Sequence, residues 1–181
     1  MTPDNHYFLN DNVNKFTMVM ALSQLEAMDK ALPEGEPLYL VLKTPGGSVI
    51  AGMEFISAVK QLSRPVITVT IQSISMGFQI VQSLGKRLVI AHGIFMTHPI
   101  VGTCRGRPVR IESCLNGLIQ LANSMDVIAA DRMSLPLKIY QKRSSEEWWS
   151  IGPGAIEDRM ADEITEIRCN KVMMDKGSCP N

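Results

Sequence analysis

The chain has 181 residues, of which 45% are hydrophobic and 20% are charged, and its 18 basic residues balance its 18 acidic ones. This length and composition predict one soluble globular domain, and the zero net charge gives no reason to expect nucleic acid or an anionic membrane as a partner. No apolar run approaches the roughly 18 residues of a membrane span, and the N-terminus lacks the basic and apolar regions of a signal peptide, so we expect a cytoplasmic protein.

The first half of the chain predicts alternating strands and helices. Short apolar and β-branched runs predict strands at residues 7–9, 38–42, 66–71, 88–90 and 94–96. Apolar residues at helical spacing predict helices over residues 13–31, 48–62 and 76–84. We expect Asp11 or Asn12 to cap the first helix, and Ile50, Met53 and Ile56 to face inward from the second. This alternation predicts an α/β domain with a largely parallel sheet.

The second half of the chain predicts a long helix over residues 108–133, whose apolar surface is wide for a peripheral helix. Packing against a second subunit would explain that width. A shorter helix should end near Lys142, Ser150 could cap a last helix that runs to Met160, and residues 164–167 predict a final strand. We expect a single domain over residues 1–181, with a core at about 7–167 and a loose tail at 168–181.

Four cysteines are too few for a disulfide framework in a chain that is expected to be cytosolic. They are Cys104, Cys114, Cys169 and Cys179. No two of them form a C-x-x-C pair, and the three histidines are not spaced with them as zinc ligands. We therefore predict reduced, structural thiols, and neither a metal nor a cofactor.

Three short motifs follow predicted strands, where parallel sheets build their sites. Gly46 and Gly47 can turn backbone N–H groups outward, as an oxyanion site needs. Ser75 stands at the tip of a strand-to-helix turn that resembles a nucleophile elbow, and the N–H of Met76 would face the same oxyanion. His98 follows an apolar strand and is the candidate base.

Each motif alone also has a structural interpretation. The glycine pair could form an ordinary tight turn, Ser73 and Ser75 could form a polar bend, and a lone histidine is more often structural than catalytic. Their occurrence together favours chemistry and selects Ser75, with Ser73 as the last polar residue of the strand.

The order and spacing of these motifs resemble the ClpP peptidase family. TPGGSV at 44–49, SMG at 75–77 and MTHP at 96–99 are similar to the family's SPGG, ASMG and MIHQP, and the resemblance runs from about Tyr7 to Ile167. It implies a ClpP/crotonase-like spiral of ββα units with a long handle helix. It also implies that Ser75 is the nucleophile, His98 the general base, and the N–H groups of Gly47 and Met76 the oxyanion hole.

The resemblance departs from the family pattern at the third catalytic residue. Glu146 stands in place of the family's aspartate, with Glu147 as the alternative, and a backbone or water partner for the histidine is a further option. Asp126 and Asp131 are less favoured because they fall on the long helix.

The resemblance also implies that Gly46, Gly102 and Gly106 bind the substrate backbone. Arg105 and Arg107 add positive charge to this segment, which predicts either a preference for acidic substrates or a surface ion pair.

The function that the resemblance implies is a serine endopeptidase acting on peptides or unfolded polypeptides inside an oligomeric barrel. The family's heptameric rings, stacked as a tetradecamer, are the expected assembly. Only about six residues precede the first strand, so an AAA+ unfoldase partner is doubtful, and a compact, phage-encoded relative would fit. The alternatives are a non-catalytic subunit of a mixed ring and, ranked lower, a crotonase-like acyl-CoA enzyme.

Overall fold

Residues 5–167, the part of the chain that the computed structural model describes, form six strands and six helices, which alternate except that α5 follows α4 directly. The strands are β1 (His6–Leu9), β2 (Leu38–Thr44), β3 (Val66–Ile74), β4 (Arg87–Thr97), β5 (Trp148–Ile151) and β6 (Glu163–Thr165). The helices are α1 (Lys15–Ala31), α2 (Val49–Val59), α3 (Met76–Ser83), α4 (Pro108–Arg132), α5 (Leu137–Ser144) and α6 (Pro153–Glu157). The predicted tail at 168–181, which includes Cys169 and Cys179, lies outside the described residues.

The strands form one mixed sheet in the order β1-β2-β3-β4-β5, and the first four are parallel. β4 is long enough to hold two partners on the same edge, with β6 parallel along its first part and β5 antiparallel along its second. The predicted α/β class with a largely parallel sheet is confirmed.

The two strands predicted at 88–90 and 94–96 are one continuous strand, β4. The pairing with β3 jumps from Thr70–Val89 to Gln72–Ile94, so β4 carries extra residues between its two halves. A side chain on Gly93 would lie 2.5 Å from the Thr70 carbonyl oxygen, so only glycine fits where the strands close up again after this bulge.

The helices contribute buried residues to one core that they share with the sheet, and β2 is buried almost throughout, as its continuous apolar run predicts. In α2 the prediction for Ile50 is wrong, because its side chain is 60% exposed. The helix begins at Val49 after its Ser48 cap. The buried face therefore runs through Phe55, Ile56 and Val59, and Ile50 lies well off that face at about 100° per residue.

Two predicted helix starts are also corrected. Asn14 caps α1 instead of Asp11 or Asn12: its side chain accepts a hydrogen bond from the Thr17 N–H, and the Thr17 hydroxyl accepts one from the Asn14 N–H. Ser150 lies inside β5 and does not cap a helix. This segment is a strand because it pairs antiparallel with β4. The local sequence gives no sign of such a long-range contact.

The long helix α4 has two different halves. Its C-terminal half buries Met125, Ala129 and Ala130, whereas apolar residues of its N-terminal half remain exposed, with Val109 at 79% and Leu115 at 52%. None of the helices within residues 5–167 combines the length and the apolar character needed to cross a bilayer.

Candidate active site

The site lies where three neighbouring parallel strands end. β2 and β3 pair through Thr44 and Ser73, and β3 and β4 pair through Ile74 and Met96, so their carboxyl ends reach the same edge of the sheet. Residues that follow these ends line one cavity of about 170 Å³, namely Gly47, Ser75, Met76 and His98. The structure therefore brings together the four residues that the motifs predict.

Ser75 occupies the turn between β3 and α3 in an unusual backbone conformation, with φ of 56° and ψ of −116°. Its N–H donates to the Met96 carbonyl at 2.8 Å, and its carbonyl accepts from the Gln79 N–H at 3.3 Å. Its side chain makes no capping hydrogen bond to α3. A non-glycine residue in this region is strained by about 1–3 kcal/mol, and such residues cluster at functional sites.

Ser73 has a different environment. It is fully buried within β3, and its hydroxyl lies 3.1 Å from the Thr70 hydroxyl. The structure therefore places Ser75, and not Ser73, on the cavity.

The glycine pair lies directly against the serine turn. Gly46 has φ of 90°, and a Cβ there would lie 2.6 Å from the Ile74 carbonyl oxygen and 2.8 Å from the Ser75 Cβ. Gly47 has φ of 143°, and a Cβ there would lie 2.3 Å from the Val13 carbonyl oxygen. The two backbones therefore approach to distances that only glycine allows.

Two residues that line this cavity have backbone N–H groups without a partner among the described residues. Within residues 5–167, neither the Gly47 N–H nor the Met76 N–H makes a hydrogen bond, and both residues line the cavity. Met76 is the first residue of α3, so its N–H also lies at the positive end of the helix dipole. Two free donors beside a serine hydroxyl can hold a negatively charged oxygen.

His98 is half-buried, and its Nδ1 lies 2.7 Å from the Pro99 carbonyl oxygen. A carbonyl can only accept, so Nδ1 is the donor in this bond, and the tautomer that the bond selects has its lone pair on Nε2, where a base needs it. Among the described residues, no hydrogen bond joins the His98 ring to the Ser75 hydroxyl or to a carboxylate.

Comparison with known proteins identifies the family. A family model described as Clp protease matches residues 1–168. The chain belongs to the Clp protease family. The ATP-dependent Clp protease proteolytic subunit of Porphyromonas gingivalis is 26% identical over 166 residues, which cover 90% of this chain and 74% of that protein. The mixed α/β fold of this Clp family member is consistent with the ClpP fold.

The two candidate acids of this Clp family member do not line the cavity. Glu146 and Glu147 are exposed at the entrance to β5, and the Glu147 carboxylate accepts a hydrogen bond from Trp149 Nε1 at 2.9 Å. The last β4–β5 pair is Thr97–Trp148, so one further step of the same register would place Glu147 opposite His98. Their catalytic roles stay predictions.

A third carboxylate, Asp126 of α4, lines the cavity together with Ser75 and His98. Its Oδ2 accepts a hydrogen bond from Gln141 Nε2 at 3.1 Å. Partial burial raises the pKa of Asp126, although the Gln141 hydrogen bond opposes this. The sequence disfavours Asp126 as a catalytic acid because it falls on the long helix. The helical spacing of Met125 and Ala129 predicts a buried face on this part of α4, which packs against α3 and α5.

A group of buried, hydrogen-bonded side chains lies beneath the site. The Tyr140 hydroxyl lies 2.9 Å from the Thr97 hydroxyl and accepts from Gln79 Nε2 at 3.4 Å. Burial raises the pKa of Tyr140 to about 12, so it stays protonated. The group ties α5 and α3 to the end of β4, next to His98.

The segment between β4 and α4 is closed by a disulfide between Cys104 and Cys114. The prediction of reduced thiols is therefore wrong for this pair. Cys114 lies on α4, nearly two turns beyond its start, and pairs with a residue only ten positions earlier. The contact depends on how the loop folds back over the helix, which composition does not reveal.

The predicted substrate-binding glycines of this loop lie outside the cavity lining. A Cβ on Gly102 would lie 2.8 Å from Leu118 Cδ1, and Gly106 has φ of 131°. Arg105 and Arg107 are exposed, and neither forms an ion pair within residues 5–167. The role of this loop in substrate binding stays a prediction.

Proposed function

We propose that this Clp family member is a serine-type endopeptidase that hydrolyses peptides or unfolded polypeptides. The observation that carries the proposal is the positive-φ turn that presents Ser75 to a cavity shared with His98 and two unpaired backbone N–H groups. This set comprises a nucleophile, a base and an electrostatic site for the oxyanion.

The reaction would begin when Ser75 Oγ attacks the substrate carbonyl carbon and its proton passes to His98 Nε2. The oxyanion would accept hydrogen bonds from Gly47 and Met76, and losing one such donor typically costs about 2.7–4 kcal/mol of transition-state stabilisation. The amine would leave with the proton from His98, and water activated by the same ring would then hydrolyse the acyl-enzyme.

Two groups compete to orient the His98 ring. The sequence favours Glu146, or Glu147 beside it, whereas the hydrogen bond in the structure is to the Pro99 carbonyl. A carbonyl can fix the Nδ1–H tautomer, but it carries no negative charge that would stabilise the imidazolium. We therefore propose that the Pro99 carbonyl holds the resting ring and that Glu146 remains the candidate for a triad acid.

The assembly forms part of the proposal. Membership of the family suggests an oligomer, and the exposed apolar residues of α1 and α4, such as Phe16 at 73% and Val109 at 79%, supply surface for subunit contacts. We propose heptameric rings stacked as a tetradecamer.

The name of the P. gingivalis relative includes ATP dependence, and for this chain an ATPase partner rests on that name alone. A cytoplasmic location is opposed by the disulfide, since such bonds are rare in reducing compartments.

A non-catalytic subunit is the second candidate. The absence of a hydrogen bond between Ser75 and His98 within the described residues favours it. Catalytic hydrogen bonds are often long in unliganded enzymes and tighten when substrate binds, so we rank this candidate second.

A fluorophosphonate probe distinguishes the two candidates. We expect covalent labelling and peptide hydrolysis, and we expect Ser75→Ala to abolish both. The control Ser73→Ala removes a serine hydroxyl two residues earlier in the chain and should retain both activities. Native mass spectrometry of the same samples measures the assembly state. No labelling of the wild-type protein in any assembly state would favour the non-catalytic subunit.

A further inference from the structure

Asp126 is a partly buried carboxylate that has no cationic partner among residues 5–167. Within residues 5–167, no lysine, arginine or histidine nitrogen lies within 4.0 Å of its oxygens. Its one hydrogen bond comes from the neutral amide of Gln141, which engages Oδ2 and leaves Oδ1 free. Buried charges in proteins are normally paired, so this carboxylate is available to a cation that arrives with a ligand.

Part of the cavity wall is apolar, beside polar groups that include Gln79. Met76, Ile100, Ala122 and Met125 supply apolar surface to the same cavity as Ser75 and Asp126. A long side chain with a methylene stem and a cationic head matches this arrangement, because the stem can lie along the apolar walls while the head reaches the carboxylate. The cavity has room for about one such side chain, given its volume of about 170 Å³.

Charge in the cavity also favours a cation. Among the described residues, Asp126 and His98 are the only ionisable ones in its lining, and the basic residues Arg105 and Arg107 do not line it. Asp126 does not orient the histidine in this structure, since His98 Nδ1 is hydrogen-bonded to the Pro99 carbonyl. No interaction with a catalytic residue therefore accounts for the presence of this carboxylate in the cavity.

We propose that Asp126 selects substrates that carry arginine or lysine on the amino side of the scissile bond. Ser75 attacks the carbonyl of one substrate residue, and the side chain of that residue enters the cavity that Ser75 lines. Asp126 lines the same cavity. This inference rests on the proposed function, and it reverses the acidic preference that Arg105 and Arg107 suggest.

The test compares peptides that differ only at that side chain. Fluorogenic peptides with arginine and with citrulline have nearly the same shape and differ in charge, and a third peptide carries glutamate. A charge-assisted hydrogen bond should favour arginine over citrulline by about 10- to 100-fold in kcat/KM. In Asp126→Asn, which keeps the size of the side chain, the arginine-to-citrulline ratio should fall to about one. Asp131→Asn, an exposed change on the same helix, should keep the wild-type ratio.

The outcomes separate this inference from the function on which it rests. Three outcomes, each with fluorophosphonate labelling of Ser75, overturn the inference and leave the proposed function standing. They are equal turnover of the arginine and citrulline peptides, faster turnover of the glutamate peptide, and no turnover of any peptide. An arginine preference that persists in Asp126→Asn removes Asp126 from it. No labelling and no turnover overturn the proposed function, and the inference with it.

Discussion

Gly46→Ala should disable the site without removing any catalytic group. The added Cβ would lie 2.6 Å from the Ile74 carbonyl oxygen, 2.8 Å from the Ser75 Cβ and 3.0 Å from the Met76 nitrogen. Real Cβ contacts essentially never fall below 3.0 Å, so the Ile74 contact alone requires a shift of at least 3.0 − 2.6 = 0.4 Å. All three atoms belong to backbone or to a Cβ, and no flexible side-chain end can absorb the shift.

The shift acts on the nucleophile and on one oxyanion donor together. A misplacement of 1 Å can cost about 100-fold in rate, so we expect kcat/KM to fall by about 10- to 100-fold. The φ of 90° adds a second cost, because an L-residue in left-handed backbone loses roughly 1–2 kcal/mol. For a domain of this size, that corresponds to a fall in Tm of about 2–8 °C.

The assay measures kcat/KM for a fluorogenic peptide, the rate of fluorophosphonate labelling and Tm. Gly35→Ala is the matched control, since Gly35 has φ of 85° and no atom within 4 Å of an added Cβ. It should show the backbone cost in Tm and unchanged kcat/KM. If Gly46→Ala lowers Tm like the control but retains kcat/KM, the close approach of the glycine pair does not position Ser75 and Met76.

Three further predictions concern stability and the third catalytic group. Asp162→Asn should destabilise the fold by about 1.5–3 kcal/mol, because the buried Arg87 guanidinium loses its charged partner. Arg87 lowers the pKa of Asp162, although burial opposes this. The stabilisation is therefore present above the unfolded carboxyl value of about 4 and is lost as pH falls through the lower folded value. Urea unfolding of both proteins at pH 7 and below pH 4 should show the difference shrinking, and a constant difference would contradict this account. Cys104→Ser should lower the unfolding free energy by about 2–3 kcal/mol, the loop-closure value for a separation of 10 residues, and dithiothreitol should lower the wild-type stability equally; an unchanged melting curve in both experiments would show that the bond does not form in solution. Glu146→Gln should lower kcat by less than about tenfold if the Pro99 carbonyl orients His98, whereas loss of a triad acid costs about 10⁴-fold; a loss of that size would identify Glu146 as the acid.

The sequence alone determined the features that depend on neighbouring residues. Hydrophobic periodicity located the strands β1 to β3 and the helix α4 within a few residues, since burial of one face imposes a period that local sequence must carry. The glycine pair and the serine turn were also readable, because their backbone conformations restrict which residues can occupy them. His98 was found by its place after a strand. The structure then brought these three motifs to one cavity.

The tertiary structure decided what depends on segments that are distant in sequence. β5 exists as a strand because it pairs with β4, and a pattern of four residues could not reveal that pairing. Asp126 borders the cavity because α4 packs across α3, and the ring of His98 bonds to a carbonyl while Glu146 stays exposed. Cys104 and Cys114 meet because the loop folds back on the helix. Composition and spacing carry no record of such contacts, since each depends on how two separately formed elements pack together.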